Sequence, residues 1–184
     1  MKNIILIAFF FIGIHISQAQ DSKPELKQDP KPEVKPELKS ELKWYTDVAE
    51  AIKVSNKKKK PLMFFFTGSD WCGWCIRLQS EVLKTPEFIK WANESVIPVV
   101  LDFPRRTEQP EALRMQNGQL QQVFGVQGFP TICFAKAKVN KERVVSFDLL
   151  GNTGFVAGGP TAWIATAEPF VKKPTKDKSK TKKA

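Results

Sequence analysis

The chain has 184 residues, with 29 Lys and Arg against 19 Asp and Glu, for a formal charge of +10. At 42% hydrophobic and 11% aromatic it holds enough apolar material for one core, too little length for several, and too much hydrophobicity for a wholly disordered chain. Residues 44–171 carry only +3, residues 21–43 balance six Lys against six acids, and residues 172–184 carry +6 on a segment without core residues. The basic excess therefore argues against a nucleic-acid partner, and leaves the Lys-rich tail, 172–184, a weak, salt-sensitive contact with anionic membrane surfaces.

In chain order, Met1, Lys2 and Asn3 precede an apolar run over residues 4–16, and small residues follow at Ser17 and Ala19. This three-part pattern is that of a secretory signal over residues 1–19, cleaved after Ala19. A spanning helix needs ~20 apolar residues, so the run is short for a membrane anchor. Export is expected, with the periplasm as destination and secretion or a membrane tether as the alternatives. Cleavage removes His15, the only histidine, and with it any imidazole base, His-ligated metal or Ser-His-Asp triad. Cys72, Cys75 and Cys133 instead reach a compartment where disulfides form, and an odd count allows at most one internal pair.

Residues 20–43 form a low-complexity linker in which Lys recurs every fourth position from Lys23 to Lys43. Pro24, Pro30, Pro32 and Pro36 forbid a continuous helix, and the few apolar residues cannot build a core, so an extended spacer is predicted. The folded domain is placed at 44–171. Helical spacing of Val48, Ala49 and Ile52 predicts a helix over 46–56, ended by Lys57 to Lys60 before Pro61. The unbroken apolar run 62–66 predicts a strand buried on both faces. After a loop at 67–71, a helix is predicted from Cys72 to a break at Pro86, with a further turn or two over 87–93. A second strand follows at 96–103, a Pro- and charge-bearing loop at 104–110, and a helix at 111–124. Strands at 131–135 and 143–150, a flexible loop at 151–159 and a closing helix at 160–170 complete the order. Alternating helix and strand followed by a hairpin predicts a three-layer α/β/α sandwich around a mixed sheet.

Trp71-Cys72-Gly73-Trp74-Cys75 falls between the first strand and a helix. Two cysteines three positions apart across a helix start bring both sulfurs to one side, with the first over the free N–H groups of the opening turn. Those amides and the helix dipole favour a thiolate, so Cys72 is predicted to be the nucleophile and the more buried Cys75 the resolving thiol. The competing zinc reading needs four ligands, and the mature chain adds only Cys133. A purely structural disulfide would leave the flanking tryptophans unexplained. Cys133, between Ile132 and Phe134, is read as a buried inert thiol.

FTGSDWCGWC, followed some fifty residues later by GVQGFPT, resembles the thioredoxin superfamily, particularly exported bacterial thioredoxin-like proteins with a WCxWC-type motif. The resemblance covers roughly residues 44–170. It implies a cis peptide at Pro130, a substrate ledge formed by Phe129 and Pro130, and an apolar rim from Trp71, Gly73 and Trp74. It further implies a thiol–disulfide oxidoreductase, a reductase or isomerase, that exchanges with protein thiols and disulfides and is recycled by a redox partner protein. No metal and no cofactor beyond the Cys72–Cys75 pair is called for. Two departures stand out. Phe66 occupies the place of a buried acid in the best-known thioredoxins, and Gly-Trp replaces Gly-Pro between the cysteines. The alternatives are a peptide-binding or chaperone-like module without turnover, and an adhesin in which the tail acts and the domain is a passenger.

Overall fold

A computed structural model describes residues 41–172. The expected signal segment, all but the last three residues of the linker, and the Lys tail beyond Lys172 lie outside the described residues, as does the membrane contact assigned to that tail. The chain runs α1 (Val48–Lys58), β1 (Leu62–Thr67), α2 (Gly73–Leu78), a π-helical segment (Gln79–Leu83), α3 (Pro86–Ser95), β2 (Ile97–Asp102), α4 (Glu111–Val123), β3 (Thr131–Val139), β4 (Val145–Thr153) and α5 (Gly159–Val171).

Local chemistry explains several boundaries. Asp47 caps α1 by accepting the N–H groups of Ala49 and Glu50, and Lys57 and Lys58 lie in its last turn, where cations suit the dipole. Thr85 caps α3 by accepting the Phe88 N–H, and Pro86 occupies its first turn, where a missing N–H costs nothing. Pro86 thus starts a helix as well as ending one, which extends the short turn predicted at 87–93 into ten residues. Ahead of it, the helix predicted as continuous from Cys72 widens into the π-helical segment, where the Lys84 N–H reaches back five residues to the Gln79 carbonyl.

The four strands lie in the order β2-β1-β3-β4, with β1 and β2 parallel and the other two pairings antiparallel. All six residues of β1, a central strand, are buried, and their alternation builds two cores. Leu62, Phe64 and Phe66 face α1 and α4, joining Val48, Ile52, Leu120 and Cys133. Met63 and Phe65 face α2, α3 and α5, joining Leu78, Val82, Phe88, Trp91 and Trp163. Each fully buried side chain of this size contributes roughly 1.5–3 kcal/mol. Trp163 is the anchor of the second core, with ring centroids 5.5 Å from Phe88 and 5.9 Å from Trp91. The result is the predicted thioredoxin-like α/β/α sandwich with a mixed sheet.

The hairpin is longer than its sequence suggests. β3 continues through Lys136 and Lys138, whose partners Asp148 and Ser146 lie on β4. The loop predicted at 151–159 begins late because Gly151 is inside β4, paired with Phe134 beside a register shift. The Phe170 ring fills the space at Gly151 that a Cβ would need, 2.2 Å away, so this glycine serves close packing and not flexibility.

Candidate active site

Cys72 is the N-cap of α2, in extended conformation, and Cys75 lies one turn in. The spacing brings their Cα atoms to 5.2 Å, and the two sulfurs are joined in a disulfide. The Cys72 sulfur accepts the backbone N–H of Cys75 at 3.2 Å, so the opening turn already directs a donor at the atom predicted to carry negative charge. Cys75 is fully buried and Cys72, at 6% exposed, is the more accessible residue of the two.

Phe129 and Pro130 form a cis peptide bond. Phe129 packs against the same core cluster as Cys72, Cys75 and Trp71, so the fold joins segments that are some fifty residues apart in sequence. Its ring meets Trp71 edge-on, with centroids 5.8 Å apart, and stacks on Phe103 at 5.1 Å. The Trp71 indole N–H donates to the Phe103 carbonyl at 2.8 Å, fixing the ring in place. A Cβ at Gly68 would lie 2.4 Å from that ring, so only glycine leaves it room. Trp74 stands apart from this group, 56% exposed and 5.2 Å from the Phe155 ring. Gly73 opens α2 with open space where its side chain would be.

The loop before Cys72 is pinned from β2. Asp102 accepts the Ser69 N–H at 2.8 Å and its hydroxyl at 2.6 Å. Asp70, in the same loop, accepts the backbone N–H groups of Arg105, Arg106 and Thr107. The Arg105 N–H, helped by the next two, holds the Asp70 carboxyl below its ordinary value, so it is ionised at neutral pH. Phe66 faces away from the disulfide, packed against Phe103 and Phe124, so no carboxylate stands at that position. Cys133 lies in the core across the sheet from the disulfide, and burial pushes its thiol up to about 11.

Sequence reasoning missed Phe103, Arg105 and Phe155. The loop at 104–110 was legible as charged, but nothing in its composition tied it to a tryptophan more than thirty residues earlier. Gly68 was the one available signal, since a glycine directly after a buried strand marks a close approach.

A family model for the thioredoxin-like domain matches residues 48–145, more than half of the chain. The chain belongs to the thioredoxin-like family. Among curated relatives, it is 36% identical over 124 residues to a disulfide bond reductase, DsbH, of Chlamydia pneumoniae, covering 67% of this chain and 70% of that one. It is 29% identical over 131 residues to the thioredoxin-related protein DsbJ of the same organism, covering 71% of this chain but only 37% of that longer protein. A solved DsbH oxidoreductase structure superposes with a TM-score of 0.64 at 33% identity, covering 82% of this chain and 94% of that one. A thioredoxin from Thermus thermophilus, 17% identical with a TM-score of 0.51 over 69% of this chain and 85% of its own, shares the fold. With its Cys72–Cys75 disulfide at the start of α2, this thioredoxin-like protein is a thiol–disulfide oxidoreductase.

Proposed function

We propose that the protein is an exported reductase of disulfides in polypeptide substrates, working through Cys72 and Cys75 with no other cofactor. The Cys72 sulfur, capping α2 and accepting the Cys75 N–H, is the observation that carries this reading. In the reduced enzyme the Cys72 thiolate attacks one sulfur of the substrate disulfide, forming a mixed disulfide and expelling the other sulfur as a thiolate that takes up a proton. Cys75 then loses its proton and attacks the Cys72 sulfur, which closes the internal disulfide and releases the second substrate thiol. The substrate gains two electrons and the enzyme loses two, which a dithiol partner protein restores. Phe129 and Pro130 serve as the ledge for an extended substrate, and Trp71, Gly73 and Trp74 as its rim.

The relatedness to a disulfide bond reductase favours reduction over oxidation. Export, with the periplasm as destination, rests on the signal-like first nineteen residues. The test is insulin reduction with a chemical reductant as electron source: wild-type protein accelerates precipitation of the insulin chains, and Cys72→Ser reduces the rate to background. Full activity in Cys72→Ser would refute the scheme. The pair's reduction potential gives direction, since a value near thioredoxin's ~−270 mV marks a reductant and one near ~−120 mV an oxidant.

A further inference from the structure

Both tryptophans of the Trp71-Cys72-Gly73-Trp74-Cys75 run carry an arginine on a ring face. The Arg77 guanidinium lies 5.4 Å from the Trp74 centroid and 4.9 Å from that of Phe155. The Arg105 guanidinium lies 3.7 Å from the centroid of Trp71. The two cations differ in how their charge is met. Arg77 bonds Glu81 through Nε at 2.7 Å, one helical turn away, so its charge is matched on its own segment. Arg105 is exposed and has no ion-pair partner among the described residues.

The position of Arg105 is nevertheless fixed. The Asp70 carboxylate holds the backbone of residues 105–107, and the indole beneath the guanidinium is tied to the Phe103 carbonyl. Asp70 is occupied by three amides, and Glu108 forms no ion pair with Arg105. The stacked guanidinium is thus partly desolvated on one face, while its planar edge keeps the donors that suit a carboxylate. Trp71, which it covers, also meets Phe129 of the proposed ledge, so the cation and the ledge share one aromatic ring.

We propose that Arg105 is a specificity-determining residue that pairs with an acidic side chain beside the substrate cysteine, giving the enzyme a preference for disulfides in acidic peptide segments. The proposal rests on the reductase reading and adds no covalent step to it.

Two peptides test it, each with the same intramolecular disulfide and flanked by Glu in one and by Lys in the other. The readout is the ratio of their kcat/KM values with the reduced full-length enzyme, which cancels any general loss of activity in a variant. Wild-type protein is expected to favour the Glu peptide by about threefold to fivefold at low salt, the scale of one exposed ion pair, and less in high salt. Arg105→Glu inverts the ratio, Arg105→Lys keeps part of it, and Arg106→Glu, the same charge change one residue along, shifts it less. Equal rates for the two peptides with wild-type enzyme, or an unchanged ratio in Arg105→Glu, overturns the proposal. Failure to reduce either peptide instead overturns the reductase reading and takes the proposal with it.

Discussion

Gly68 shows how much of the site depends on one missing methyl. A Cβ there would lie 2.4–2.8 Å from three atoms of the Trp71 ring. Gly68→Ala must therefore displace the indole, break its bond to Phe103 and disturb the stack with Arg105. We expect a loss of roughly 1–3 kcal/mol in urea denaturation, with a parallel drop in insulin reduction. Cys133 illustrates the opposite case, a residue whose chemistry burial switches off. Its thiol titrates near 9.0 when exposed and at about 11 when folded, so the folded state keeps a proton that the unfolded state gives up first. Its contribution is fully present below pH 9 and is lost as pH rises from 9 to 11. Comparing urea stability against pH for the Cys72→Ser, Cys75→Ser protein with and without Cys133→Ala isolates this slope and prevents thiol exchange in the unfolded chain. A pH dependence identical in both proteins would contradict it.

At the level of elements, the loop from β2 to α4 serves as a brace between the cysteine segment and the ledge. Asp70 holds its backbone from one side, while Phe103 stacks on Phe129 and accepts the Trp71 N–H. The loop also presents two adjacent trypsin sites, Arg105 and Arg106, both exposed. Asp70→Ala removes the acceptor for three amides, so tryptic cleavage at these residues should quicken while global stability changes little. Cleavage as slow as in wild type would mean the loop is ordered without Asp70. Because the Asp70 carboxyl is held below its ordinary value, wild-type order persists through mildly acidic pH and fails only as pH drops through that lowered pKa. The elements themselves were largely legible in the sequence. Apolar runs at 62–66 and 96–103 and the helical spacing at 46–56 correspond to β1, β2 and α1 because burial on a sheet and on a helix leaves different periods. Boundaries were less legible where tertiary contacts decide them. Gly151 reads as a loop start until Phe170 is seen to fill its side-chain space, and Pro86 reads as a stop until Thr85 is seen to cap the helix that follows.

Across the whole molecule, the central sheet separates two kinds of chemistry. The disulfide belongs to the core cluster facing α2, α3 and α5, and Cys133 to the one facing α1 and α4. The sheet therefore keeps the third thiol from the reactive pair, although its strand starts directly after Pro130. The sequence alone carried the resemblance to the thioredoxin superfamily, in the Cys72-Gly73-Trp74-Cys75 run and the loop ending at Pro130, and it marked β1 and β2 because buried-strand composition is a local property. It also assigned more than half of the basic excess to residues 172–184. Only the tertiary structure decided that Trp71 is wedged between Phe129 and Arg105, that Asp70 holds a distant loop, and that Phe66 packs against Phe103. Those facts depend on which segments meet across thirty to sixty residues of chain. Packing of the two cores sets that meeting, and no periodicity in the sequence records it.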